Sequence, residues 1–83
     1  MQTFLVTGAD RGIGEAICRE ARGRGARVVA ACLGDSEPLR RDGVEVVPGV
    51  DVTSDGAVAA LAERLAGTRL DVLINNAGVV ELC

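Results

Sequence analysis

The run Thr7-Gly8-Ala9-Asp10-Arg11-Gly12-Ile13-Gly14 sets glycines at a G-x-x-x-G-x-G spacing between an apolar stretch and a helical one. Glycines without Cβ atoms permit a tight turn and let an anionic ligand come close to the backbone, while the free N–H groups of a helix start receive its charge. The chemistry offered is therefore the holding of a phosphate or pyrophosphate, with Arg11 as an added cation. The spacing differs from the G-x-G-x-x-G known from dinucleotide-binding turns, and a turn built only for close helix packing would read the same way. Three further stretches carry polar or small groups after apolar runs: Cys32-Leu33-Gly34-Asp35, Asp51-Val52-Thr53 and Asn75-Asn76-Ala77-Gly78. For Asp51 the plain alternative is a turn residue ahead of a helix, and for Asn75-Asn76-Ala77-Gly78 it is a strand-ending turn.

Proton-transfer chemistry has no evident carrier. The chain contains no histidine, tyrosine or lysine, and all nine of its basic residues are arginine. Ser36 and Ser54 fall at turns, so no residue is assigned a catalytic role. Cys18, Cys32 and Cys83 form an odd set without C-x-x-C spacing, and with no histidine to complete a zinc site no metal ligands are assigned. They read as small buried or terminal thiols in a reducing compartment.

The elements that must position these groups alternate. Residues 3–7 read as a buried strand stopped by Gly8. A helix follows, with Ile13, Ala16, Ile17 and Ala21 on one face and Gly23 and Gly25 at its end. Residues 27–32 carry Val28, Val29, Ala30 and Ala31 without polar interruption, the pattern of a strand covered on both faces. Ser36 caps a short helix with Pro38 in its first turn, closed by Asp42-Gly43. Residues 44–47 are a third strand. Thr53 or Ser54 caps a helix whose Val58, Leu61, Ala62, Leu65 and Ala66 repeat at helical spacing up to Gly67. Residues 70–74 are a fourth strand.

Such alternation implies parallel βαβ units with right-handed crossovers. The expected fold is α/β and Rossmann-like, a partial doubly wound parallel sheet of four strands in the order 3-2-1-4. In a parallel sheet all carboxyl ends lie on one edge, so the four polar stretches gather in a single crevice.

The glycine run together with Asn75-Asn76-Ala77-Gly78, in this order and separation, resembles the short-chain dehydrogenase/reductase family, and Asp51-Val52-Thr53 also matches its segment after strand three. The resemblance covers essentially the whole chain but represents only the first third of a typical member. It implies that Gly8, Gly12, Ile13 and Gly14 line a pyrophosphate and that Asp51 and the Val52 backbone hold the adenine edge, a carboxylate accepting the amino proton and an amide donating to a ring nitrogen. It further implies that Asn76, Ala77 and Gly78 pass beside the nicotinamide-side ribose, whereas Asn75 ties neighbouring strands together. Asp10 stands where a small hydroxyl residue is commoner.

The cofactor implied is NAD or NADP. In the family an acid at the end of strand two accepts from the ribose of NAD, and a base there or in the glycine loop pairs with the 2′-phosphate of NADP. Cys32 and Leu33 match neither pattern. Asp35, about 20 residues beyond the glycine loop, favours NAD, and Arg11 tips the balance slightly to NADP. Arg19, Arg22, Arg24 and Arg27 read as a solvated helix end.

Members of the family transfer hydride between the nicotinamide and a carbonyl or alcohol carbon, using a Tyr-x-x-x-Lys pair that this chain lacks. The expectation is a cofactor-binding fragment, residues 1–83 being the N-terminal part of a longer domain. A non-catalytic nucleotide-binding or regulatory module, or a non-functional remnant, is the alternative.

Composition narrows the partners. A net charge of −3 and a pI near 4.8 leave no basic excess for a phosphate backbone, so nucleic acid is not expected. No apolar run approaches the ~20 residues of a membrane span, and no signal segment opens the chain, which together suggest a cytoplasmic protein. Phe4 is the only aromatic residue, so the core must come from Val, Leu, Ile and Ala. So short a chain buries only about 60 % of the surface it exposes when unfolded. An apolar strand at residues 70–74 would leave an edge open to sheet pairing or oligomerisation.

Overall fold

The computed structural model describes residues 1–9 and 12–76. Arg11, Ala77, Gly78 and Cys83 lie outside the described residues, as does Asp10.

The elements follow the expected alternation. They are β1 (Thr3–Thr7), α1 (Gly12–Gly23), β2 (Arg27–Ala31), α2 (Glu37–Arg41), β3 (Glu45–Val47), α3 (Asp55–Arg64) and β4 (Val72–Asn75). All strand pairs are parallel and the spatial order is β3-β2-β1-β4. Both helices after a polar cap are closed as their residue types dictate. The Ser36 hydroxyl accepts from the Leu39 amide, and of the two candidate caps for α3 it is Ser54 that accepts, from Ala57.

One face of the sheet is packed densely. Val6, Val28, Ala30 and Val46 meet Cys18 and Ala21 of α1 and Leu39 of α2, with Phe4, Ile17 and Ile74 partly buried around them. Burial in this apolar layer disfavours the thiolate, and Cys32 nearby adds to the effect, so the Cys18 thiol is pushed up to about 11. The other face carries Leu5, Val29, Ala31, Val47 and Val50 under the half-buried Leu61 of α3 and Leu65 at its C-cap. No residue of α3 is fully buried. A hollow of about 260 Å³ lies beneath it, between Val47, Val50, Ala57 and Leu61.

Three details depart from the sequence expectation. The stripe of α1 that meets the sheet is Gly14, Ile17, Cys18 and Ala21, while Ile13 is 72 % exposed and Ala16 is exposed as well. In α3 the inward positions are Ala57, Leu61 and Leu65, leaving Val58, Ala62 and Ala66 exposed. An apolar stripe fixes the existence of a buried face but not its phase, because the sheet selects which of several adjacent apolar residues it covers. Finally, the fourth strand begins at Val72 and not at residue 70. Asp71 sets that start: its amide donates to the Thr3 carbonyl at 2.9 Å, and its carboxylate accepts from the Thr3 amide at 2.8 Å.

Candidate functional site

The carboxyl ends of the four strands are joined by hydrogen bonds that continue past the strands themselves. Between β1 and β2, the Gly8 amide donates to the Ala31 carbonyl at 2.9 Å. Between β2 and β3, Cys32 donates to Val47 at 2.9 Å, Val50 donates back to Cys32 at 2.8 Å, and Gly49 donates to Leu33 at 3.1 Å. Between β1 and β4 the links are side-chain bonds: the Thr7 hydroxyl donates to the Asn75 amide oxygen at 3.0 Å, and Asn76 Nδ2 donates to the Gly8 carbonyl at 3.1 Å. The segments holding Gly8, Leu33, Val50 and Asn76 therefore form one connected rim, as the parallel topology requires.

Within the rim the glycines have separate tasks. Gly12 has φ +63°, and among the described residues, its own helix and chain neighbours aside, no atom lies within 4 Å of where a Cβ would stand, so its backbone borders open space in a conformation that other residues rarely adopt. Gly14 is the opposite case. A Cβ there would lie 2.5 Å from Asn76 Nδ2 and 2.6 Å from the Gly8 carbonyl oxygen, so its bareness lets α1 pack against the bond that joins the first loop to β4. The packing role considered for this glycine run is thus present at Gly14, and open space for a ligand is present at Gly12. Ile13, between them, is an exposed apolar side chain at the same rim.

Asn75 ties β4 to β1, as expected of it, and Asn76 makes a second tie to the loop ahead of α1. Asp51 takes the shape of a turn residue: its Oδ1 accepts from the Thr53 amide at 2.9 Å and from the Thr53 hydroxyl at 2.6 Å. These bonds, the hydroxyl's foremost, hold its carboxyl below the usual carboxylate range. The carboxylate remains exposed beside the half-buried Val52. The structure thus groups Gly8, Gly12, Ile13, Gly14, Asp51, Val52 and Asn76 along the carboxyl edge of the sheet; Arg11, Ala77 and Gly78 fall outside the described residues.

Asp35 has a partner that the sequence reading did not assign. Its Oδ1 accepts from Arg40 Nε at 2.8 Å and from the Ser36 amide at 2.7 Å, and the guanidinium, ahead of the amide, holds the carboxyl low. The signal was available, since an acid just before a helix cap and an arginine one turn inside the helix face each other across the cap. Among the described residues no cluster of three or more potential ligands for a metal ion occurs, and no helix is long and apolar enough to cross a membrane.

Comparison with known proteins matches residues 2–83 to the family model described as short chain dehydrogenase. A curated relative, 1-hydroxy-2-glutathionyl-2-methyl-3-butene dehydrogenase of Rhodococcus sp. (strain AD45), is 50 % identical over 84 residues, covering 99 % of this chain and 37 % of the relative. Among solved structures, the Pseudomonas aeruginosa RhlG/NADP active-site complex is similar with a TM-score of 0.77 at 35 % identity, over 94 % of this chain and 35 % of that one. 4-Hydroxyisoleucine dehydrogenase complexed with NADH gives a TM-score of 0.81 at 25 % identity, over 95 % of this chain and 35 % of that one. The chain spans about a third of the length of the proteins it matches.

Proposed function

The chain belongs to the short-chain dehydrogenase family, and on that premise we propose that it forms the dinucleotide-binding part of an NAD(P)-dependent oxidoreductase. The supporting observation is the connected rim, with bare backbone and open space at Gly12. A dinucleotide would be held by these residues: Gly8, Gly12, Ile13 and Gly14 take the pyrophosphate side, Asp51 and Val52 the adenine, and Asn76, Ala77 and Gly78 the nicotinamide-side ribose. Gly14 and Asn76 serve largely by shape, since their contacts hold the loop that the ligand would meet. When bound, the nicotinamide supplies hydride chemistry toward a carbonyl or alcohol carbon. What these residues contribute is binding, orientation and a fixed loop; proton transfer to the substrate oxygen is assigned to none of them.

Support for either dinucleotide comes from the relatives, one solved with NADP and another with NADH. Arg11 is the proposed contact that favours NADP slightly. Residues 1–83 are proposed to be the N-terminal portion of a longer cytoplasmic domain, which a coding sequence continuing into a Tyr-x-x-x-Lys motif would bear out and one that stops at residue 83 would refute. The binding claim is tested by titrating the purified chain with NADPH and NADH separately and following nicotinamide fluorescence. Saturable binding is expected. A chain folded by circular dichroism that saturates with neither contradicts the reading.

A further inference from the structure

The inward stripe of α3 ends on a charge. Ala57, Ala60, Leu61 and Arg64 stand at i, i+3, i+4 and i+7 of the helix, and all of them line the hollow of about 260 Å³ beneath it. The facing wall is Val47, Pro48, Gly49 and Val50, the chain that leaves β3. Arg64 is the charged side chain of this otherwise apolar lining, at a helical position where a leucine would close the face.

Both walls are tied to the sheet. The Gly49 amide donates to the Leu33 carbonyl at 3.1 Å and the Val50 amide to the Cys32 carbonyl at 2.8 Å, which fastens one wall to the end of β2. On the other side Ser54 caps the start of α3, and Leu61 and Leu65 rest on the cluster of Leu5, Val29 and Val47. Ala57 and Ala60 are too short to fill the space that these contacts leave.

Arg64 is also uncommitted. Arg19, Arg24, Arg27, Arg40, Arg41 and Arg69 each lie within ion-pair distance of a carboxylate, whereas among the described residues no carboxylate reaches Arg64. An arginine at the end of an apolar stripe lays its aliphatic stem along that stripe and keeps its head at the water boundary. The head is all donors, in a planar fork that matches a carboxylate. One guanidinium balances one negative charge, which suits a monoanion better than a phosphate dianion.

We infer that this hollow binds a small apolar monocarboxylate, its hydrocarbon body between α3 and the chain after β3 and its carboxylate on Arg64. A dry apolar cavity of about 150 Å³ already holds benzene, so the space suits a body of roughly six to eight carbons. Such an occupant touches Val50 on one side and α3 on the other, the two ends of the loop that carries Asp51 and Val52, and so steadies that loop. The site uses neither the glycine loop nor Asn76, and it stands or falls independently of the dinucleotide-binding reading.

Octanoate is the probe, titrated into the isotopically labelled chain while the amide spectrum is followed. Saturable shifts are expected at Val47, Gly49, Val50, Ala57 and Leu61, with a dissociation constant on the order of 0.1–1 mM. Octanamide, the same body without the charge, should bind about tenfold more weakly, and Arg64→Gln should weaken octanoate by about the same factor while leaving octanamide unchanged. Ala57→Leu, which fills the hollow, should abolish binding of both; should that variant fail to fold, Arg64→Gln decides. Octanoate that does not saturate, or that shifts amides away from the hollow, refutes the site. Equal affinities for octanoate and octanamide refute it too, as does an Arg64→Gln variant that melts earlier yet binds octanoate as before, since Arg64 would then serve only the end of α3.

Discussion

The two faces of the sheet are built from the same kinds of residue and finished to different degrees. Beneath α1 and α2, Val6, Ala30 and Leu39 are fully excluded from solvent. Beneath α3 the strands offer Leu5, Val29 and Val47, but the helix covers them with two half-buried leucines above a hollow, and Leu73 of β4 is left 63 % exposed. α1 packs close against β1 and β2, and α2 against β3, whereas α3 stands farther from every strand. The glycine loop is rooted in the dense face through α1, and so is the Asp35–Arg40 pair through α2. The loop of Asp51 and Val52 leads into the sparse one. Rigidity is therefore expected to be unequal along the rim, greatest at the glycine loop and least at the loop of Asp51 and Val52.

The largest contrast is expected from truncating one leucine on each face. Leu39→Ala should cost about 2–5 kcal/mol, because a fully buried side chain leaves a cavity that its neighbours fill only in part. Leu61→Ala, already beside a hollow and half in water, should cost about 1 kcal/mol. Urea unfolding of both variants measures the difference, and equal losses would erase the distinction between the faces. Gly14→Ala should come next at about 1–3 kcal/mol, since the added methyl must displace either the Asn76 amide or the Gly8 carbonyl. The same denaturation experiment reads it, and a neutral result would show that the α1 contact is looser than its distances imply.

Enlargement sharpens the comparison in the other direction. Ala57→Leu points into the hollow under α3 and should stabilise by about 0.5–1 kcal/mol, visible as a raised melting temperature. A loss there would mean that the hollow is already closed. The smallest effect is confined to alkaline solution. The Cys18 thiol has its folded value raised from 9.0 to about 11, so its contribution is fully present below pH 9 and is lost as the pH climbs through 11. Stability should therefore not change with pH from 7 to 9 on its account and should fall between pH 9 and 11, and a Cys18→Ala control should remove that alkaline component.

Much of this architecture is legible in local sequence. The apolar run 3–7, the uninterrupted Val28 to Ala31 and the helical repeat after Ser54 each dictate an element, and the strict alternation of strand and helix dictates a parallel order. Helix phase is less legible. Ile13 and Ala16 continue the same apolar stripe as Ile17 and Ala21, and only the position of β1 and β2 decides that Gly14 and Cys18 turn inward instead. At the site, glycine spacing announces a close backbone approach but does not say to what. At Gly14 the partner is Asn76, brought in from the far end of the chain by the pairing of β4 with β1. Bonds of that range, Thr7 to Asn75 and Asn76 to Gly8 among them, follow from tertiary structure alone.

Convergence of the four strand ends on one ligand is tested most directly by recording the amide spectrum of the isotopically labelled chain during titration with NADPH. Shifts should concentrate at Gly8, Gly12 to Gly14, Leu33 to Asp35, Val52 and Asn76, while Gly25 and Gly43 at the opposite ends of α1 and α2 stay still. Shifts spread evenly over the chain, or clustered at those opposite ends, would contradict a shared binding rim.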